Sequence, residues 1–341
     1  MAETSTLLNV VWFFNASGVA MFRKRQQGAA LLMVLVALAM LAGGMAWMVE
    51  QGRQEVDSVR LVQQRVQARA IERAALAFTE QALRDPLWRA SPLFWQAMRG
   101  QPLSYDFKGG KAIIRIRDLH SCFNVNALIG PEAERAQRQL VHLLGADMAA
   151  ERLTQTLADW LDADQQTRLQ GAESNEYLRQ SPPRLAANQL MRDISELNLL
   201  SAPDAVRALR YPQLCSLAET SGWRLNANAL SLDMLPLLDA LYEGEVSRSL
   251  LTRLVSARPA GGYRDASDLR QALGALDDAT FERLSEGLQL NGDHFLLQLD
   301  IDLDGQRFRS QYQVEALGVV KWHARVPAQG MLLRSREPLP L

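Results

Sequence analysis

Arg23-Lys24-Arg25-Gln26-Gln27-Gly28-Ala29-Ala30-Leu31-Leu32-Met33, continuing without a charge to Met48-Val49, is the stretch on which the rest of the chain depends. From Ala29 to Val49 no residue is charged, a run of about 20 residues. As a helix rising ~1.5 Å per residue it spans the ~30 Å hydrocarbon core of a bilayer. The three cations upstream hold the N-terminus in the cytoplasm and send everything after Glu50 across the membrane. Two processing routes are open to such a stretch. A secretory signal is cut after its apolar run, and Gly44-Met45-Ala46 offers small residues there. A cut at the Gly28-Ala29 junction, ahead of the apolar run, leaves the membrane helix on the mature protein.

Beyond the membrane segment the helix is predicted to continue. From Glu50 to Arg84 there is no proline, and Gly52 is the only breaker. Val56, Val59, Val62, Val66, Ala70, Ala74 and Phe78 recur at intervals of three and four, with charged residues mostly between them. Membrane and outer portions together make one helix of roughly 80 Å, ended by Pro86. Residues 85–110 carry many prolines, glycines and aromatics and read as a loop with a short helix around Ser91–Met98. Lys111–Asp118 reads as a strand. Phe295–Asp302 and Arg307–Glu315 alternate well and are joined by Asp304-Gly305, a hairpin turn, with Gly318–Val326 a third candidate. Between these strands, from about Phe123 to Leu290, the pattern is almost wholly helical. The predicted class is α+β: a long N-terminal helix, an antiparallel sheet, and a large all-α insertion between its strands.

The net charge of −1 excludes bulk attraction to nucleic acid or anionic lipid. The two cysteines, Cys122 and Cys215, lie beyond the membrane segment, where an oxidising compartment permits a disulfide that spacing alone does not establish. The four histidines (His120, His142, His294 and His323) are scattered. No Gly-x-Ser-x-Gly, Walker loop or Cys-x-x-Cys occurs, so nothing asks for catalysis. Within the helical middle, Asn124-Val-Asn-Ala-Leu128 is echoed by Asn226-Ala-Asn-Ala-Leu230. Asn is a favoured N-cap, so the echo reads as two capped helix starts in a duplicated element. The second copy leads into a stretch like a helix-hairpin-helix module. Its turn, Glu243-Gly244-Glu245, sets two carboxylates where a DNA-binding version approaches a phosphate, which argues against nucleic acid as a partner. A membrane-anchored periplasmic DNA-uptake protein is the alternative function.

The most chemically suggestive segment is Ala158-Asp-Trp-Leu-Asp-Ala-Asp164 with Gly171-Ala-Glu173, Asn175 and, further on, Asn188 and Glu196. Asp162, Asp164, Glu173 and Glu196 are hard oxygen donors of the kind calcium gathers in sixes to eights, though the spacing is no EF-hand. A solvated acidic loop is the plainer reading. Asp159 reads as a helix-face or capping residue beside Trp160.

The basic leader, Gly28 at the cut and the following apolar helix resemble a type IV prepilin. With the Asp-Trp-Leu-Asp-Ala-Asp run and the Asn-x-Asn-Ala-Leu echo, the chain from Met21 to about Val326 resembles the K-type minor pseudopilins of type II secretion systems, the GspK family. The resemblance implies a pilin-like fold carrying an α-helical insertion. It also implies cleavage by prepilin peptidase between Gly28 and Ala29, and N-methylation of Ala29. Pilins mostly carry Glu at the fifth mature position, here Met33; its loss marks the subunit at the filament tip, which has no neighbour above to pair with. The implied partners are the I-type and J-type minor pseudopilins, other pseudopilus subunits and the inner membrane. The implied place is the bacterial inner membrane, crossed once, with the C-terminal bulk periplasmic. Calcium near Asp162, Asp164, Glu173 and Glu196 is implied as well, although Ser174 stands where the family usually has an acid, which shifts weight to Asn175. The domains are then a leader over 1–28 (with translation starting at Met21), a transmembrane helix over 29–49 and a first pilin-like part over 50–122. The helical insertion occupies 123–290, and the sheet and tail 291–341.

Overall fold

The computed structural model describes residues 23–202, 213–315 and 322–324, with side chains for 30–202 and 213–315. The leader as far as Phe22, most of the third candidate strand and the tail lie outside the described residues. Two units are described in turn: the chain as far as Val66, and residues 67–341.

The first unit is helical from Arg23, the start of helix α1 (Arg23–Arg84). Its mean hydropathy reaches 2.3 over an 18-residue window, and that window is not buried against the protein. Leu31, Leu32, Met33 and the apolar residues as far as Val49 are all exposed, as a segment solvated by lipid requires. This helix, the one such span among the described residues, places the chain in the membrane with the sheet and the insertion on the periplasmic side.

The second unit holds the sheet. Strands β1 (Leu103–Phe107), β2 (Gly110–Asp118), β7 (His294–Leu303), β8 (Gln306–Glu315) and β9 (Trp322–Ala324) form one antiparallel sheet in that order. The register sets Ile114 against Leu299 and Ile116 against Leu297. Period-2 alternation then turns Phe295, Leu297, Leu299, Ile301 and Leu303 inward. The outer part of α1 joins this core through Ala68 and Ala75, and the Tyr312 hydroxyl donates to the Glu72 carboxylate. Asp304 and Gly305 both take positive φ, 49° and 81°, the geometry that a two-residue hairpin turn needs.

Residues 85–110 hold the expected short helix near Ser91–Met98 and two elements beyond it, a first helical turn and an edge strand. Asp85 caps a short helix α2 (Pro86–Arg89), Ser91 caps α3 (Pro92–Met98), and β1 follows. β1 is an edge strand, exposed over its middle three residues, so burial gave the sequence no apolar alternation to display. The apolar series on α1 and the face of α1 that is buried are different faces. Ala68, Glu72, Ala75, Thr79 and Leu83 are buried, whereas Ala70, Ala74 and Phe78 are exposed.

Between β2 and β7 lies the helical insertion. Among the described residues it comprises α4 (Ala133–Leu144), α5 (Met148–Leu161), α6 (Ser174–Tyr177), α7 (Leu235–Leu241), α8 (Arg248–Ser256), α9 (Ala266–Leu273) and α10 (Asp278–Glu286), with short 3-10 turns. Among the described residues its main core is one large apolar cluster separate from that of the sheet, with a small one around the disulfide. Two parallel bridges close it: β3 (Phe123–Asn124) pairs with β4 (Leu214–Cys215), and β5 (Leu225–Asn226) with β6 (Leu288–Gln289).

The Asn-x-Asn echo is more than a pair of caps. Asn124 and Asn226 accept from the backbone N–H two residues on, at 3.2 and 3.0 Å. The second asparagine of each pair is fully buried and clamps two remote segments. Asn126 accepts from Met191 N and donates to Met191 O and Leu217 O. Asn228 accepts from Tyr263 N and donates to Tyr263 O and Leu290 O. In each half one carboxamide therefore reads both polar groups of one residue and the carbonyl of another. The Glu243-Gly244-Glu245 turn sits between α7 and α8, with Glu243 paired to Arg138 at 3.0 Å and Glu245 to Arg283.

Candidate metal centre

Helix α5 ends in a concentration of negative charge. Asp159, three residues before Asp162, is fully buried in the last turn, and Asp162 is the C-cap. The negative end of the helix dipole opposes carboxylates there, so the pair needs a cation. Arg168, on the loop that follows, supplies one: its guanidinium donates to Asp159 Oδ1 and to Asp162 Oδ2, each at 2.5 Å. The loop then returns through Gly171, where any Cβ would collide with the Asp159 carboxylate. Two residues later it delivers Glu173.

Glu173 is buried, and neither of its carboxylate oxygens has a hydrogen-bond partner. Asp159, Asp162 and Glu173 bring one oxygen each to within 4.8 Å of one another, a group able to hold a metal ion. Asp162 Oδ1 and the side-chain oxygen of Asn188 are likewise buried without a partner. Asn188 is held at the site by its backbone N–H to Trp160 O (3.0 Å) and by Nδ2 to Asp164 O (3.1 Å). Orphaned, acceptor-only oxygens are costly unless something positive meets them. Burial, followed by the charges of Asp159, Asp162 and Asp164, pushes the Glu173 carboxyl up to about 7. Burial also raises Asp159 above the usual carboxylate range, against the opposing pull of Arg168.

The donors assemble differently from the sequence expectation. Asp162 and Glu173 do meet. Asp159, expected as a helix-face residue, is the third member of the group. Asp164 is exposed, and its carboxylate accepts from Gln166 N at 2.7 Å. Glu196 is committed elsewhere: it closes a capping box with Asp193, accepts from Arg192 N at 2.9 Å and receives the Trp160 indole N–H at 3.4 Å. Its spacing, Asp193-x-x-Glu196, is a capping-box signature that the sequence already displayed. The signal for Asp159 was its i, i+3 spacing to Asp162 on one helix face.

Cys122 and Cys215 are joined by a disulfide, with Cα atoms 5.8 Å apart, beside the β3–β4 bridge. Gly28 and Ala29 lie within α1, their side chains outside the described residues. Met33 is 71% exposed.

Comparison with known proteins adds the family. Two family models, each described as type II secretion system (T2SS), protein K, match residues 121–218 and 225–291. The type II secretion system protein K of Klebsiella pneumoniae is 30% identical over 318 residues, covering 87% of this chain and 96% of that protein. The Pseudomonas aeruginosa protein of the same name is 30% identical over 276 residues, covering 76% of this chain and 80% of its own length. Among solved structures, a chain from the GspK-GspI-GspJ complex of the enterotoxigenic Escherichia coli type 2 secretion system superposes with a TM-score of 0.58 at 25% identity. The match covers 77% of this chain and 100% of that one. With the long apolar helix, the antiparallel sheet and the helical insertion all in place, the chain belongs to the type II secretion system protein K family.

Proposed function

We propose that this chain caps the periplasmic pseudopilus and helps to start its assembly, in a complex with the I-type and J-type minor pseudopilins. It is a structural subunit of a protein-export machine and not an enzyme. The observation that carries the tip position is Met33, an uncharged side chain where a pilin stacked beneath another uses an acid to meet its neighbour's ammonium. The solved relative comes from a complex with I and J subunits, which supports the same partners here. A second support is the unpartnered apolar face of α1. Ala70, Ala74 and the 55%-exposed Phe78 point away from the chain's own sheet, the surface that a neighbouring helix would cover.

Processing by prepilin peptidase at Gly28-Ala29 and N-methylation of Ala29 complete this reading, as do the domain limits given above. Calcium is the metal that best suits the acidic centre: the donors are all hard oxygens from a flexible loop and a helix end. Asp159, Asp162 and Glu173 would hold it, aided by the Asn188 side-chain oxygen, with Arg168 withdrawing to solvent. Asp164 adds charge nearby, and Glu196 positions Trp160 behind the site. The ion would stiffen the loop between α5 and Asn188.

Mass spectrometry of the mature protein tests the route: a chain beginning at N-methylated Ala29 supports it, and one beginning near Ala46 removes it. Co-purification with the cognate I-type and J-type subunits tests the partners. Phe78→Asp, on an exposed position, is expected to break that complex while leaving the fold intact. A chain that never co-elutes with them sinks the assignment of partners.

A further inference from the structure

A second cluster of ligand atoms lies where the sheet meets the insertion, away from the acidic centre. The 3-10 turn Leu119–Ser121 supplies His120, the loop after β4 supplies Glu219, and Asp293 and His294 stand at the start of β7. His120 Nε2 lies 3.4 Å from Asp293 Oδ1. His294 Nδ1 lies 2.7 Å from the same oxygen and 3.6 Å from Glu219 Oε1. The ligand atoms of His120, Asp293 and His294 all fall within 4.8 Å of one another.

The far sides of both rings are the second observation. His120 Nδ1 is 3.2 Å from Asp118 Oδ1, and His294 Nε2 is 3.2 Å from Glu315 Oε1. Each imidazole thus has a carboxylate on its outer nitrogen and turns the inner one toward Asp293. Outer carboxylates of this kind fix the tautomer and orientation of metal-binding histidines. Asp118 is itself fully buried and locked by the His120 backbone N–H (2.8 Å) and the Asn226 side-chain amide (2.5 Å). The His120 ring is therefore held by the same network that clamps the second half of the insertion.

From this arrangement we propose that His120, His294, Asp293 and Glu219 form a binding site for a zinc ion that fastens the insertion to the start of β7. Zinc takes four nitrogen and oxygen donors tetrahedrally at ~2.0–2.1 Å, which places neighbouring donors roughly 3.3 Å apart. The His120–Asp293, His294–Asp293 and His294–Glu219 separations of 3.4, 2.7 and 3.6 Å bracket that spacing, and Glu219 swings in as the fourth donor. Two imidazoles favour zinc over calcium or magnesium, which prefer oxygen alone. The ion enters from solvent on the side of Asp293 and Glu219, whose side chains are 62% and 42% exposed. These four residues lie just outside the stretches that the family models match, and none of them belongs to the acidic centre.

The test uses the full chain in detergent, without a polyhistidine tag, stripped with chelator and dialysed against buffered micromolar zinc in a large excess of calcium. One zinc per chain is expected by elemental analysis, with intense tetrahedral d–d absorption when cobalt replaces it. Asp293→Asn alters an exposed side chain and Glu315→Gln an outer partner, so both are expected to fold. Glu315→Gln should weaken zinc about 10-fold or more, Asp293→Asn at least as much, and the double variant His120→Gln/His294→Gln should abolish binding. Two results overturn the proposal: a wild-type chain that retains no zinc, or zinc affinity unchanged in both Asp293→Asn and Glu315→Gln. Calcium binding that survives all these variants shows that any failure belongs to this site alone.

Discussion

The two halves of the insertion begin with the same motif and are held in different ways. In residues 224–291 the Asn226/Asn228 clamp closes on four short helices, α7 to α10. Three of these carry N-cap side-chain hydrogen bonds, from Ser247, Asp265 and Asp277. In the first half the Asn124/Asn126 clamp closes on a return from α5 whose described part, residues 162–202, holds only one turn of helix and a 3-10 stretch. A helix satisfies its own backbone groups, whereas an irregular loop has to find partners from outside. The disulfide, the acidic centre and the Glu196 capping box all fall in the first half, where they supply such partners. The same clamp is enough where helices surround it and needs cross-links where they do not.

The disulfide is the largest lever on this contrast. Cys122 and Cys215 are 93 residues apart, a loop closure worth about 4.6 kcal/mol in the chain-entropy account. Cys122→Ser/Cys215→Ser should lower global stability by about that amount in denaturant melts. Hydrogen exchange should rise first in residues 123–202 and leave α7–α10 protected. Uniform loss of protection in both halves would break the comparison.

The clamps come next. Asn126→Ala strands Met191 N, Met191 O and Leu217 O, and Asn228→Ala strands Tyr263 N, Tyr263 O and Leu290 O. Buried groups left unpaired cost about 1–3 kcal/mol each, partly relieved by water, so each variant should lose about 3 kcal/mol. If the halves are true counterparts, the two losses agree within about 1 kcal/mol with the disulfide intact. Under reducing conditions Asn126→Ala should become the worse of the two.

Metal removal is a comparable but narrower test. On the proposed calcium reading, an ion concentration near 100 times its Kd would stabilise the fold by about 2.7 kcal/mol, and Glu173→Gln should abolish that increment in thermal melts. The same residue gives the metal-free protein a pH dependence of definite sign. Its folded pKa, about 7, lies above the ordinary value of 4.5, so the folded state holds the proton more tightly than the unfolded one. Stability is fully present below the unfolded value and is lost as pH rises through 7. In chelator, the melting temperature should fall between pH 5 and pH 8, and Glu173→Gln should flatten that fall. A rise with pH would show that Glu173 is already compensated by a fixed cation.

Much of this was legible in the sequence because it rests on periodicity and composition. The apolar run from Ala29, the alternation in Phe295–Asp302 and the Asp304-Gly305 turn each carry their structure locally. The residues that escaped are those whose partners are remote. Asp159 meets Glu173 only because a loop returns past Gly171. Asn126 and Asn228 read as caps until the chain brings Met191 and Tyr263 to them. The face of α1 that packs is lined by Ala68 and Ala75, small residues that pass for spacers, while the more apolar series faces outward. His120 and His294, scattered in sequence, adjoin only because β7 starts beside the turn that follows β2.

The smallest effect belongs to the hairpin turn of the second half. Glu243 pairs with Arg138 at 3.0 Å, but the side chains are 30% and 60% exposed, and surface pairs of this kind contribute about 0–1 kcal/mol. Glu243→Gln should therefore change the melting temperature little, and it should leave the protein without affinity for duplex DNA. The turn that would approach a phosphate carries Glu243 and Glu245, each already neutralised by an arginine of the insertion itself, Arg138 and Arg283. Phosphate would have to displace carboxylates from their own partners, against charge repulsion. Binding that falls steeply with salt in the parent protein would revive the DNA-uptake reading, because that slope counts phosphates neutralised. Its absence leaves the second half as the self-sufficient scaffold against which the cross-linked first half is measured.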